Sequence, residues 1–394
     1  MPVKRTARDP APVATLEQLL AAKEIVVACG SGGVGKTTTA ASLAAMAAVH
    51  LGGKVLVLTV DPAQRLATAM GLERFGNVET PVPRAAFVEA GVEPRGQLWA
   101  AMLDTKQSWD DLVRRHAPDR QTRDAILGNP LYQNITGRFV GGHDYIAMER
   151  LYDLHQSGVY DLIVVDTPPT RNAIDFLEAP ERMADFFSSR LLRWLLAPYR
   201  SRIYNLASKP FYQVADRILG SAFLQDVAEF FILFQSMYKG FVERARAVER
   251  VLEDRRTTFL VVSTLESAPV REAEFFVDAL VERHLHLGGL VLNKVLPGYL
   301  LDPEATRAAG RLCNDPAGAA GHVAAGVGDV AQVERVLHEV GNSFLNFQVV
   351  AKREAETRAE LSVAPDVVVA VPYFDTDIYD LAGLLRLGAT VWTA

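Results

Sequence analysis

The sequence predicts an α/β protein built on a doubly wound, mostly parallel sheet, and three observations carry that reading. Seven short segments are near-continuous in apolar or β-branched residues: 24–29 (EIVVAC), 54–60 (KVLVLTV), 97–103 (QLWAAML), 160–166 (YDLIVVD), 258–264 (TFLVVST), 288–294 (GGLVLNK) and 366–372 (DVVVAVP). They do not alternate apolar with polar, so both faces of each strand are covered. Longer stretches of helical character separate them, which is what parallel neighbours need as crossovers. The Gly-rich and acidic signals fall at the carboxyl ends of these segments, where such sheets bind ligands.

Taken in order, residues 1–20 open MPVKRTARDPAPVAT, polar and Pro-containing, and read as a disordered lead-in to a domain running 21–394. Segments 105–158 and 175–255 lack strand signals and read as helical. The second carries Phe186, Phe187, Leu191, Leu192, Trp194, Leu195, Phe223, Phe230, Phe231 and Phe234 at roughly helical spacing, which suggests a helical subdomain inserted between strands. Residues 313–329 (CNDPAGAAGHVAAGVGD) are Gly/Ala-rich and read as a mobile loop.

Composition narrows the class. A net charge of −6 offers no global attraction to nucleic acid or anionic lipid. Two cysteines, Cys29 and Cys313, cannot build a disulfide framework or a four-thiolate metal site, so a reducing cytoplasm fits. No apolar run approaches the ~20 residues of a membrane span.

Chemistry concentrates after the first strand. Gly30-Ser31-Gly32-Gly33-Val34-Gly35-Lys36-Thr37-Thr38 fits a phosphate-binding loop, preceded by a strand and followed by a helix start. The glycines let backbone N–H groups approach phosphate oxygens, and the helix N-terminus favours the same anion. Lys36 supplies charge to the terminal phosphates of ATP, and the Thr37 hydroxyl is a Mg²⁺ ligand candidate. Asp166 closes an apolar strand, as expected of a carboxylate near that metal, and Thr167-Pro168-Pro169-Thr170 follows as a switch segment. Asp61, at the end of the strand after the loop helix, either orients the attacking water or caps the next helix. Asn293 presents an amide able to pair with adenine, or is an ordinary turn residue. Pro372 and Tyr373 offer a wall for the base, and Asp375 is either a contact there or a helix N-cap.

The phosphate loop, DPAQ, VVDTPPT, LNK and VPYFD in this order resemble the arsenical-pump ATPase family, of the deviant Walker A class, over most of residues 24–390. The resemblance implies a P-loop NTPase fold, Mg-ATP hydrolysis at a dimer interface, and coupling of nucleotide state to dimer and helical-subdomain conformation. It places the phosphate loop at Gly30–Thr38, the water-positioning aspartate at Asp61, switch II at Asp166, and adenine contacts at Asn293 and Pro372–Asp375. It also places a client-binding segment within 175–255, which would take an apolar helix or lipid, although only Met183 and Met237 supply methionine there; the same residues read equally as a packed helical subdomain or a dimer interface. Three departures stand out. The family's second loop position is Lys, and here it is Ser31; switch II reads DTPPTRNAID where the family reads DTAPTGHTLR; the family's metal-binding cysteines have no counterparts. Since that Lys reaches the nucleotide across the dimer, Ser31 implies slow turnover by the chain alone and a heterodimer with a lysine-bearing relative. A low-turnover regulatory or scaffold subunit is the alternative.

Overall fold

The structure is a computed structural model that describes residues 15–60, 65–72, 76–135, 142–168, 178, 182, 185, 229–234, 236–323, 329–361 and 365–393. Its elements run α1 (Leu16–Ala21), β1 (Ile25–Cys29), α2 (Lys36–His50), β2 (Lys54–Thr59), α3 (Arg65–Ala69), β3 (Thr80–Pro81), α4 (Arg84–Glu89), β4 (Gln97–Met102) and α5 (Thr105–His116). There follow α6 (Arg120–Gly128), α7 (Pro130–Ile135), α8 (Gly142–Gln156), β5 (Leu162–Asp166), α9 (Tyr238–Glu253), β6 (Thr257–Ser263), α10 (Ser267–Glu282) and β7 (Leu287–Val295). A 3₁₀ turn (Gly298–Leu301), α11 (Pro303–Asn314), α12 (Pro316–Val323), α13 (Val330–Glu360), β8 (Val367–Pro372) and α14 (Leu381–Trp392) complete the series.

All seven predicted strands form, within one or two residues of their expected ends. The sheet order is β3-β4-β2-β5-β1-β6-β7-β8. Every neighbouring pair is parallel except β3 with β4, a two-residue antiparallel edge that the sequence pattern did not reveal. β1 lies between β5 and β6. The chain leaves β1 toward β2 on one side and later fills β6, β7 and β8 on the other, so the crevice opens at the carboxyl end of β1.

Alternate residues of one strand feed two cores. Ile25, Val27 and Cys29 join the core beneath α5, α8, α9 and α10. Val26 and Ala28 join the core beneath α2 and α14. Helix α2, KTTTAASLAAMAAVH, is buried nearly all round, and its alanines let it lie close to both sheet and α14. The crossing is tight: a Cβ on Gly388 would stand 2.2 Å from Met46 Cγ. The Ser42 hydroxyl donates to the Leu384 carbonyl at 2.6 Å, which fixes the two helices in register.

Three expectations change. The lead-in expected through residue 20 stops earlier, because α1 forms at Leu16 and buries Leu16, Leu19 and Leu20, its N-terminus capped by Thr15. Residues before 15 lie outside the described part. The expected 313–329 loop is helical through α11 and α12 up to residue 323. Ala-rich composition there serves close packing: Asp315 accepts from Gly318 N–H at 3.1 Å at the start of α12, and Cys313 is half-buried beside Asn342 of α13. Of the segment 175–255, residues 229–234 and α9 are helical, and most of 175–228 lies outside the described residues. Phe230 and Phe234 pack into the core with Trp109 and Tyr132, so these two aromatics line the interior rather than a surface groove.

Candidate functional site

The loop between β1 and α2 owes its shape to close approaches that only glycine permits. Gly30 has φ +154°, and a Cβ there would lie 2.1 Å from the Val262 carbonyl oxygen of β6. Gly35, the N-cap of α2, has φ +95°, and its Cβ would meet Asn293 Nδ2 at 2.3 Å. Two strands flanking or near β1 therefore press directly on the loop backbone.

Lys36, the first residue of α2, is buried, and its ammonium donates to the Ser31 carbonyl at 2.8 Å. The side chain thus folds back over the loop concavity where phosphate would sit. Ser31 is itself buried, and its hydroxyl has no hydrogen-bond partner among the described residues. An orphaned buried hydroxyl is costly unless something supplies a partner.

Asp166, at the end of β5, is 1% exposed. Its Oδ2 accepts from the Thr37 hydroxyl at 2.7 Å and from the Thr59 hydroxyl, at the end of β2, at 2.9 Å. Three elements, α2, β2 and β5, thereby converge on one carboxylate. Thr167 ties β5 to β1: its hydroxyl donates to the Ala28 carbonyl at 2.9 Å. Cys29 is adjacent but inert, since burial pushes its thiol up to about 12.

Asn293, at the end of β7, is buried against the same loop. Its amide Nδ2 donates to the Val34 carbonyl at 2.7 Å, and its Oδ1 accepts from Lys294 N–H at 3.0 Å. One face of the amide therefore braces the phosphate loop. Lys294 is in the left-handed region (φ 59°), and its ammonium reaches to 3.5 Å from the Gly33 carbonyl. Just after β8, the Tyr373 N–H donates to the Val295 carbonyl at 2.9 Å, and Tyr373 and Asp375 are exposed. The helix that follows is capped by Asp380, not by Asp375.

Of the residues singled out in the sequence, the structure brings together the Gly30–Thr38 loop, Asp166 and Asn293. Asp61, Pro169 and Thr170 lie outside the described residues. Thr59 and Lys294 were missed, and Thr167 was named only as part of the switch segment. Thr59 had a visible signal, the one hydroxyl in the apolar run KVLVLT, whereas Lys294 announces itself only through its backbone conformation.

A family model described as anion-transporting ATPase matches residues 23–308, a span that holds the loop, Asp166 and Asn293 together. The chain belongs to this anion-transporting ATPase family. Among its relatives, the ATPase ASNA1 homolog of Entamoeba dispar is 25% identical over 300 residues, covering 73% of this chain and 81% of the relative. The ATPase GET3 of Malassezia globosa is 26% identical, covering 74% and 79%. A putative arsenical pump-driving ATPase 2 of Aquifex aeolicus is 24% identical, covering 68% and 79%. Membership in this ATPase family accords with the loop geometry, and no described helix is long and apolar enough to cross a membrane.

Proposed function

We propose that this chain binds Mg-ATP at the β1–α2 loop and hydrolyses it at a site completed by a related subunit. The observation that carries the reading is the pairing of Lys36, folded onto the Ser31 carbonyl, with a Ser31 hydroxyl that is buried and without a partner among the described residues. The loop amides and Lys36 hold the β- and γ-phosphates of the substrate. Asn293 keeps the loop in shape through Val34, and its remaining amide capacity is directed to the base, with Pro372 and Tyr373 as the wall beside it.

Magnesium takes hard oxygen ligands, and the Thr37 hydroxyl and Asp166 carboxylate, 2.7 Å apart beside the loop, are donors of that kind. Bound there, Thr37 would ligate it directly and Asp166 through water, and the ion would neutralise phosphate charge during transfer. Asp61 orients the water that attacks the γ-phosphate. Charge on the leaving and transferring oxygens also calls for a cation where the family carries lysine, and Ser31 cannot supply one. A second subunit with a lysine at that position supplies it in trans. The preferred assembly is therefore a cytoplasmic heterodimer in which nucleotide state alters the subunit interface and the 175–255 segment, which receives an apolar client or membrane-associated partner.

A low-turnover nucleotide-binding scaffold is the second reading, and the same Ser31 favours it when the chain acts without such a relative. Steady-state ATPase assays separate the two. The chain alone is expected to bind ATP and turn it over slowly, and adding a lysine-bearing relative is expected to raise turnover by about 10²-fold or more. Full activity in a single-species dimer would sink the heterodimer, and an unchanged rate in the mixture would favour the scaffold.

A further inference from the structure

Helix α13 lies entirely beyond the span matched by the family model, and at 31 residues it is the longest helix described. One face packs on its own hairpin: Gln348 donates to the Leu300 carbonyl at 3.2 Å, Phe344 stacks on Tyr299, and Gly341 lies against Cys313 and Ala309 of α11. The neighbouring face carries a second stripe. Val336, Val340, Phe347 and Val350 are 55%, 52%, 53% and 45% exposed, with exposed Ser343 between them. The spacing from 336 through 340, 343 and 347 to 350 alternates four and three, which is a heptad seam rather than scattered surface apolarity. A groove of about 320 Å³ follows the same face, with Ser343 among its lining residues beside Phe347 and Val350.

Two features of this stripe say what covers it. The seam has one small position, Ser343, four residues before its one large one, Phe347. Beside it, Glu339, Asn346 and Arg353 recur every seven residues, an acid at one end and a base at the other. If a second α13 packs antiparallel, the layers become Val340 on Val350 and Phe347 on Ser343, each occurring twice by symmetry. The flanking positions then pair Glu339 with Arg353 twice and Asn346 with its own copy at the axis. A parallel pair would stack Phe347 on Phe347 and Ser343 on Ser343, leaving a gap beside a clash. It would also set Glu339 against positions such as Phe344 that the hairpin already buries.

We propose that this face is a self-association surface on which a second copy of the chain docks antiparallel about a two-fold axis at Asn346. The contact is isologous, as two-fold contacts are. A seam of about four turns sits at the small end of specific interfaces, so association depends on concentration. The contact needs no nucleotide.

The test uses the full chain without nucleotide, in a Cys313→Ser background. Asn346→Cys is expected to form a disulfide-linked dimer under mild oxidation, and Glu339→Cys alone is not; Glu339→Cys mixed with Arg353→Cys is expected to form a mixed dimer. In sedimentation equilibrium, Glu339→Arg should weaken association at least about fivefold, and adding Arg353→Glu should restore it. Equal cross-linking of Asn346→Cys and Glu339→Cys would mean a parallel pair and overturn the register. A chain that stays monomeric at high concentration, or a dimer indifferent to both charge changes, would overturn the surface itself. Loss of ATP binding would leave these readouts untouched, so failure here is separable from failure of the ATPase reading.

Discussion

Two regions of this molecule bury charge, and they do so differently. Under α5, α8 and α9, Glu149 is 1% exposed and accepts from Arg244 Nε at 2.7 Å and from the Tyr145 hydroxyl. Arg244 also reaches Asp153 at 2.8 Å, and Asp153 pairs with Arg115 at 2.6 Å. Here opposite charges answer one another across three helices, and burial together with Glu149 holds the Tyr145 hydroxyl well above its usual range. At the phosphate loop, a buried lysine is turned onto a neutral carbonyl, beside a buried serine hydroxyl with no partner among the described residues. A network whose charges answer one another across helices is structural; a lysine folded onto the carbonyl of a Gly-rich loop, beside a buried hydroxyl without a partner among the described residues, is arranged for a ligand.

The largest effect should come from breaking the helical network. Glu149→Ala leaves Arg244 with Asp153 as its remaining carboxylate and takes the acceptor from the buried Tyr145 hydroxyl, and is expected to cost about 2–3 kcal/mol of stability, read by denaturant unfolding. A loss below about 1 kcal/mol would mean that the helical layer is not held by this network. Lys36→Ala should behave in the opposite way, leaving thermal stability unchanged or higher while ATP affinity falls by about 100-fold or more in a titration. If it lost stability instead of affinity, the contrast between the two regions would fail.

A smaller test uses pH. His116 lies by the helical network, and burial first, then the nearby Arg244 and Arg115, hold its pKa below the ordinary value against the opposing pull of Asp153. The unfolded chain therefore binds the proton more readily than the folded one, and stability falls as pH drops below about 6.5. Above that pH this histidine contributes no slope. His116→Gln should flatten the acid limb of a stability–pH profile by a fraction of a kcal/mol; an unchanged limb would remove His116 from the account.

The same contrast explains what could be read in advance. The phosphate loop is written in residue types because backbone geometry allows nothing else: Val262 and Asn293 leave no room for a Cβ at Gly30 and Gly35. The strands were legible because burial on both faces demands apolar runs. Thr59 was passed over because its role depends on β2 lying beside β5, a matter of strand order rather than of local pattern. The 313–329 segment was misjudged because glycine and alanine signal looseness in isolation. In the described part of the segment, up to residue 323, alanine instead lets helices pack closely: Ala320 of α12 is fully buried. Glu149 and Arg244 are 95 residues apart, so no motif search would have joined them.

The central claim is that this chain builds its own phosphate loop but not its own full complement of positive charge. Ser31→Lys tests it most directly, in a steady-state ATPase assay of the purified chain at rising concentration. The account predicts that wild type stays slow throughout, while the variant gains about tenfold or more as copies meet and each lends its new lysine to the other. A wild-type chain that is already fully active by itself, or a variant that gains nothing at any concentration, would contradict it.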